Sequence, residues 1–230
     1  MKYLPLNEYA VTVYFGESPD EHSRRAIFQL DRALQERPFP GFLEAVPAYV
    51  SLTVYYDVKQ VQRQQVVRYL ENVLQKVEQG EEIVQETIVD IPVCYGGVHG
   101  PDLSFVAAHN GLTEAAVIDI HCSATYQVHM IGFMPGFAYL GGMSPRIASP
   151  RLATPRSQVP AGSVGIAGQQ TGVYPLVAPG GWQLIGRTPV RLFDVRRPSP
   201  SLLAAGQLVR FYPIDTKMFE NLISDTNHAN

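Results

Sequence analysis

The chain has 230 residues, of which 46% are hydrophobic and 17% are charged. This composition is typical of a globular protein and excludes a disordered one. A net charge of −3 gives no general attraction for nucleic acid or for an anionic membrane. Cys94 and Cys122 form no CxxC pattern, the N-terminus lacks the apolar segment of a signal peptide, and no apolar run could span a membrane. We therefore expect a cytoplasmic protein with reduced thiols.

The first ninety residues predict an alternation of strands and helices. Residues 9–15 are β-branched and aromatic, which favours a strand. Ser18-Pro19-Asp20-Glu21 is typical of a capping box with proline in the first helical position, and Pro38 and Pro40 end that helix. Strands 42–46 and 50–56, a helix capped by Asp57 and stopped by Gly80, and strand 83–91 follow. The order β-α-β-β-α-β predicts a ferredoxin-like α/β domain over residues 1–90.

The pattern changes near Pro92. Residues 101–109 and 113–121 predict short helices that start at Pro101-Asp102 and Thr113-Glu114. Beyond Tyr126, short apolar runs are broken by glycine and proline every few residues, which is typical of a β-barrel or sandwich. The sequence therefore predicts an α+β protein whose second domain, residues 91–230, is mainly β.

A long stretch without acids lies in this second domain. From Ile120 to Phe193 there is no Asp, Glu or Lys, yet five arginines are present: Arg146, Arg151, Arg156, Arg187 and Arg191. Fixed positive charge without carboxylates favours an anionic ligand and disfavours hard metals or paired-carboxylate catalysis. The alternative is a Gly/Pro-rich barrel whose acids lie elsewhere in the sequence.

The segment from Pro155 to Trp182 concentrates side chains that could bind an anion. Arg156 offers a planar fork that matches a carboxylate, and Gln170 offers a donor and an acceptor. Tyr174 could donate to an oxyanion. The backbone N–H groups of Gly180-Gly181 could converge as a nest beside Pro179, with Trp182 as a pocket wall. Alternatively, these glycines only permit tight turns and the tryptophan fills the core.

Two further features are candidates for the same site. Phe133, Phe137 and Tyr139 alternate with small residues and could line a ligand cleft, although barrel packing explains them equally well. His121 and His99 are candidate general bases, but a lone histidine is more often a hydrogen-bonded structural residue. No metal-ligand spacing, phosphate-binding GxxxxGK[ST] loop or GxSxG elbow is present in the sequence, so no metal is predicted and no ATP motif is visible.

Several strings resemble one known family. IPVCYGG, GFMPGFAYLGGM, VPAGSVGIAGQQTGVYPL and PGGWQLIGRTP are similar to the family of 5-oxoprolinase B subunits, also known as the sporulation-kinase inhibitor or allophanate hydrolase subunit 1 family. The resemblance is strong from Ile91 to Phe193. It is looser at Asn7-Glu8-Tyr9-Ala10, where many relatives have Gly-Asp-x-Ala.

The resemblance implies a small α+β domain followed by a cyclophilin-like β-barrel related to the carboxyltransferase part of urea carboxylase. It implies a hydrolase component, inactive alone, that acts with the A and C subunits of 5-oxoprolinase to open 5-oxoproline to glutamate at the expense of ATP. Lys217-Met218 lies outside any biotin-carrier sequence, so no biotin attachment site is expected. By motif matching we expect catalytic residues Arg156, Gln170, Tyr174 and His121, and a small carboxylate held by Phe137, Tyr139, Pro179, Gly180, Gly181 and Trp182.

Two other functions remain open at this point. The family name also implies a regulatory protein that binds a sensor histidine kinase and inhibits its autophosphorylation. A prolyl isomerase would rest on the cyclophilin-like fold alone, and a fold does not determine a function.

Overall fold

A computed structural model describes residues 1–18, 20–78 and 87–228. The chain forms two compact units, Met1–Gln85 and Glu86–Asn230. The proposed division into domains 1–90 and 91–230 would fall inside a strand, Ile88–Tyr95.

The first unit is an antiparallel sheet with two helices. Its strands are β1 (Lys2–Asn7), β2 (Ala10–Tyr14), β3 (Phe42–Pro47) and β4 (Ser51–Tyr56), and its helices are α1 (Glu21–Glu36) and α2 (Arg63–Glu78). The strands are ordered β1-β2-β4-β3. Apolar side chains at helical spacing on α1 and α2 pack against alternate residues of β2 and β4, among them Leu30, Leu70, Val11, Leu52 and Val54.

The predicted ferredoxin-like fold is not confirmed for this unit. Of the predicted strand 83–91, the structure describes residues 87–91. Residues 88–91 belong to the second unit, where they pair with residues 208–211. β1 instead occupies the sheet edge beside β2. Pro5 lies within β1, and an edge strand tolerates proline because one side of its backbone has no ladder to complete.

Both predicted helix starts in this unit need correction. The N-cap of α1 is Asp20 rather than Ser18: its Oδ1 accepts from the Ser23 N–H at 2.8 Å, and the bond lowers the pKa of the carboxyl. Pro19 lies outside the described residues. Asp57 closes a turn by accepting from the Lys59 N–H at 2.9 Å, so α2 begins only at Arg63. Gly80, the predicted stop, also lies outside the described residues.

The second unit is a closed barrel, as the glycine- and proline-broken pattern predicted. Its strands are β5 (Ile88–Tyr95), β6 (Thr125–Ile131), β7 (Ala138–Gly141), β8 (Arg156–Val159), β9 (Ser163–Ala167), β10 (Gln170–Val173), β11 (Ala178–Gly180), β12 (Gln183–Arg187) and β13 (Leu208–Ile214). The barrel order is β10-β7-β6-β13-β5-β12-β9, and β8 and β11 form a separate pair. β5 and β13 run parallel, and the other barrel pairs are antiparallel.

Helices pack against the barrel, and the first two lie where the sequence predicted them. They are α3 (Leu103–His109), α4 (Glu114–Ser123) and α5 (Thr216–His228), with a 3₁₀ turn at Pro145–Ile147. Thr113 caps α4 as expected, since its side chain accepts from the Ala116 N–H at 3.1 Å. Asp102 precedes α3 without a side-chain cap, so its carboxylate is available for other partners. No helix among the described residues is long and apolar enough to cross a bilayer.

Candidate functional site

A cavity of about 320 Å³ opens beside the β8–β11 pair. Its lining is aromatic, with one charged side chain, and consists of Phe133, Phe137, Tyr139, Arg151, Leu152, Pro155, Tyr174, Pro179, Gly180, Gly181 and Trp182. Seven of these were predicted as site residues: Phe137, Tyr139, Tyr174, Pro179, Gly180, Gly181 and Trp182. Residues far apart in sequence therefore form one cavity, which is of a size that suits a small ring.

Phe137 is the centre of the cavity wall. Its ring is 1% exposed and makes edge contacts with Tyr139, Tyr174 and Trp182 at centroid distances of 5.0, 5.5 and 5.5 Å. Edge-to-face pairs at these distances add to the stabilisation that burial provides. The wall is thus a rigid aromatic layer.

Phe133 forms the outer rim in a strained backbone conformation. It has a φ of 67°, and among the described residues it is the one non-glycine residue with positive φ. The Met134 N–H donates to the Gly132 C=O at 2.8 Å, which closes a three-residue turn about Phe133. The ring is 64% exposed and makes an edge contact with Phe137 at 5.4 Å. A strained, exposed aromatic side chain at a cavity mouth is typical of a functional site.

Tyr174 places a hydroxyl in the aromatic wall. Burial raises the pKa of the phenol, while a hydrogen bond from the Trp182 backbone and the positive charge of Arg151 act in the opposite direction. The phenol therefore stays protonated at neutral pH. Because its oxygen accepts from the Trp182 backbone, its proton can point elsewhere.

The close approach of Tyr174 explains why residue 180 is a glycine, whereas an anion-binding nest does not. Neither Gly180 nor Gly181 has positive φ, so the predicted alternating nest is not formed. A Cβ on Gly180 would collide with the Tyr174 hydroxyl, whereas a Cβ on Gly181 would meet nothing closer than Pro155 Cγ at 3.6 Å. The first glycine thus lets the backbone approach the phenol closely.

Arg156 lies outside the cavity lining, and its guanidinium is bound by an acid. Nη2 donates to Asp102 Oδ1 at 2.7 Å, and Nη1 donates to the Trp182 C=O at 3.4 Å. The other oxygen of Asp102 accepts from the Leu184 N–H at 2.6 Å. This pair joins β8 to the start of β12, where it binds the backbone on either side of Gln183. Arg156 therefore holds the cavity wall in place, and its predicted ligand contact stays a prediction.

His121 lies inside the barrel, away from the cavity. Its ring is fully buried: Nδ1 lies 2.7 Å from Tyr95 Oη, and Nε2 lies 3.0 Å from Thr171 Oγ1. Thr171 Oγ1 donates to the Gly165 C=O at 3.0 Å, so Nε2 must carry the proton that reaches the threonine. Nδ1 then accepts from Tyr95, whose oxygen accepts from the Cys122 thiol at 3.4 Å.

This order of donors gives a chain of hydrogen bonds from Cys122 to Thr171 in which every group is neutral and paired. Burial lowers the pKa of His121 to about 3, and it raises the pKa of Tyr95 well above its ordinary value. The ring is also stacked on Phe211, with centroids 4.7 Å apart. Both ring nitrogens are therefore occupied, and the geometry provides no ligand contact for the predicted general base.

Gln170 begins β10, where it pairs with Ala167 outside the cavity lining. Sequence reasoning named Phe133 as a cleft candidate but left Arg151 out, and both line the cavity. Phe133 stands four residues before Phe137 in the same GFMPGF string, and Arg151 is one of the five arginines in the acid-free stretch. Within the described ranges no cluster of His, Cys, Asp and Glu could hold a metal ion.

A larger depression of about 520 Å³ lies elsewhere on the barrel unit. Its two arginines are engaged within the protein. Arg187 Nε donates to the Ala161 C=O at 2.8 Å, and Arg191 pairs with Asp194 at 3.0 Å. Arg196 binds the same carboxylate at 2.8 Å. We therefore take the smaller aromatic cavity as the candidate site.

Comparison with known proteins places the chain in a family. Residues 1–203 match the family model described as "Carboxyltransferase domain, subdomain C and D". Three curated relatives, each named as the B subunit of 5-oxoprolinase, are 41–46% identical. The one from Bacillus subtilis (strain 168) is 46% identical over 232 residues, which cover 96% of both chains.

Solved structures agree on the fold. The crystal structure of TTHA0988 superimposes with a TM-score of 0.80 at 40% identity, and the match covers 90% of this chain and 40% of that one. The urea amidolyase of K. lactis gives a TM-score of 0.71 at 20% identity over 97% of this chain and 15% of that one, a likeness of fold alone. This chain therefore spans less than half of either solved protein.

Proposed function

The chain belongs to the family of 5-oxoprolinase B subunits, which are carboxyltransferase-domain proteins, and on that basis we propose that it is the B subunit of an ATP-dependent 5-oxoprolinase. The observation that carries this proposal is the 46% identity to a protein of that name over 96% of both chains. The sporulation-kinase inhibitor function is not favoured, because the three curated relatives are all named for the oxoprolinase.

The proposed reaction opens the five-membered lactam of 5-oxoproline. The oxygen of water is added to the lactam carbon, the C–N bond breaks, and the nitrogen becomes the amino group of glutamate. A second water is consumed as ATP is hydrolysed to ADP and phosphate in the same cycle. The A and C subunits complete the enzyme, and this chain alone has no activity.

The aromatic cavity supports a role in holding the substrate ring. Phe137, Tyr139 and Trp182 form an apolar wall against which a small ring can pack. The protonated phenol of Tyr174 is placed to donate to an oxygen that gains negative charge. The Asp102–Arg156 pair fixes this wall from behind.

Reconstitution tests the proposal. The chain is mixed with its host's A and C subunits, ATP and 5-oxoproline, and the glutamate formed is measured. We expect glutamate only when all three subunits are present and none from this chain alone. Equal rates with and without this chain would overturn the proposal.

A further inference from the structure

The arginines of the acid-free stretch are not equivalent in the folded protein. Three of the five are engaged by protein oxygens: Arg156 by Asp102, Arg187 by Ala161, and Arg191 by Asp194. Asp102 and Asp194 lie outside the acid-free stretch, so the fold supplies acids that the local sequence lacks. Two arginines of the stretch, Arg146 and Arg151, then remain to bind an external anion.

Of these two, Arg151 lines the aromatic cavity and Arg146 does not. It is also the one charged side chain in the described lining. Its side chain is exposed, and among the described residues no carboxylate lies within ion-pair distance of it. A ligand carboxylate that entered the cavity would therefore meet an uncompensated guanidinium.

The backbone around Arg151 is fixed although it has no regular secondary structure. The preceding Pro150 C=O accepts from Gln183 Nε2 at 2.9 Å, and the following Leu152 N–H donates to the Gly181 C=O at 2.7 Å. Gly181 is itself part of the cavity lining. The base of the arginine is therefore fixed relative to the aromatic wall, while its guanidinium is free to meet a ligand.

Tyr174 supplies a second donor within the same cavity as Arg151. Its oxygen accepts from the Trp182 backbone, so the phenol proton is available, and both Tyr174 and Arg151 line the cavity. Arg151 and Tyr174 thus act on the same region of the cavity. An anion placed there would receive a charge-assisted bond from the arginine and a neutral bond from the phenol.

We propose that Arg151, rather than Arg156, anchors the ligand's carboxylate, and that the cavity selects small rings that carry a carboxylate over neutral rings of the same size. The inference rests on the proposed function for the identity of its ligand, 5-oxoproline. Arg156 is a positioning residue in this scheme, since its charge is already neutralised by Asp102.

Kinetics of the reconstituted three-subunit enzyme test the anchor. Arg151→Gln removes the charge, Arg151→Lys keeps it without the planar fork, and Arg146→Gln is a matched control in an exposed arginine of the same stretch. We expect Arg151→Gln to raise the KM for 5-oxoproline about ten- to hundredfold, with kcat within about threefold of wild type. The lysine variant should show a smaller rise and the control none.

The outcomes separate the anchor from the function. A wild-type complex that forms no glutamate contradicts the proposed function itself. An active wild-type complex with an unchanged KM in Arg151→Gln overturns the anchor and leaves the function standing. A fall in kcat at unchanged KM overturns it equally, because an anchor acts on binding. If Arg151→Gln does not fold, the lysine variant must still raise KM, and a KM equal to wild type refutes the anchor.

A spectroscopic readout tests the selection for a carboxylate. Trp182 is the single tryptophan of the chain and lies in the cavity wall, so fluorotryptophan in this chain alone gives one fluorine signal in the assembled complex. Without ATP, we expect 5-oxoproline to shift this signal and equimolar 2-pyrrolidinone, the neutral ring, to leave it in place. Arg151→Gln should abolish the shift. Equal shifts with both rings would overturn the proposed selectivity.

Discussion

The aromatic cavity and the buried chain of hydrogen bonds around His121 lie in the same barrel unit. They differ in whether their polar groups have hydrogen-bond or ion-pair partners. In the chain around His121, each donor has an acceptor and the ring is completely buried. In the cavity, a guanidinium has no ion-pair partner among the described residues, and Phe133 is exposed at strained φ. The first region has the residue type usually associated with catalysis, but its polar groups are all paired; the second has polar groups that the described residues leave unpaired.

The comparison shows that the type of a residue does not decide whether its polar groups are available to a ligand. A histidine, a tyrosine and a cysteine at hydrogen-bonding distance would suggest acid–base chemistry in an open cleft. Here their donors and acceptors are saturated, and burial holds them neutral. In the cavity, ordinary side chains become candidates because the fold leaves their charge, protons or surface without partners.

Substitution of Phe137 by alanine should give the largest effect of those considered. The ring is almost fully buried at the centre of four aromatic contacts, so its loss should cost about 3–5 kcal/mol of unfolding free energy. Denaturant unfolding measures it. Phe133→Ala is the control at the exposed rim and should cost about 1 kcal/mol or less. Equal losses would show that the cavity has no rigid wall distinct from its rim.

Thr171→Val tests whether the buried chain depends on complete pairing. Valine keeps the volume but removes the hydroxyl, which leaves the His121 Nε2–H and the Gly165 C=O without that partner. We expect a loss of about 2–4 kcal/mol in a urea melt. Thr171→Ser keeps the hydroxyl and should cost only about 1 kcal/mol for the missing methyl. A valine variant as stable as the serine variant would contradict the paired chain.

Gly180→Ala should disturb the cavity with a smaller loss of stability. The new Cβ meets the Tyr174 hydroxyl, so the phenol must shift, at a cost of about 1–3 kcal/mol. The reconstituted enzyme should lose activity with it. Gly181→Ala has room for its Cβ and serves as the neighbouring control. If the two alanine variants behave alike, close approach to Tyr174 is not the reason for glycine at this position.

Local signals in the sequence predicted much of the barrel unit. Helices α3 and α4 follow from their start signals at Pro101-Asp102 and Thr113-Glu114, and the run from Pro155 to Trp182 contains most of the cavity wall. These features depend on residues near one another in the chain. The family resemblance covered the same segments and is confirmed by the comparisons.

The features that the sequence did not predict depend on pairing between residues that are far apart in the sequence. The ion pair between Arg156 and Asp102 was missed because the two residues lie 54 positions apart in the sequence. The strand predicted at 83–91 matched a ferredoxin-like order, yet its pairing with β13 could be known only from the fold. Ser18 and Asp20 both suit an N-cap, and backbone geometry decides between them.

The pH dependence of stability tests the neutral state of His121. Its pKa is about 3 in the folded protein and near 6.5 in the unfolded chain. As pH falls below 6.5, His121 binds a proton in the unfolded chain but not in the folded protein. The contribution of His121 to the free energy of unfolding should therefore fall on acidification by up to about 1.4 kcal/mol per pH unit until pH 3. Chemical denaturation at a series of pH values measures this slope.

Asp31 of the first unit acts in the opposite direction and must be removed to expose that slope. Burial raises the pKa of its carboxyl to about 6, above the ordinary 3.8, so the folded state takes up the first proton and gains stability as pH falls from 6 to 3.8. In a cooperative transition the two effects offset each other. Asp31→Asn should therefore convert a nearly flat wild-type profile between pH 6 and 4 into a falling one. A flat profile in that variant would mean that His121 is charged in the fold, and the donor order of the buried chain would then be wrong.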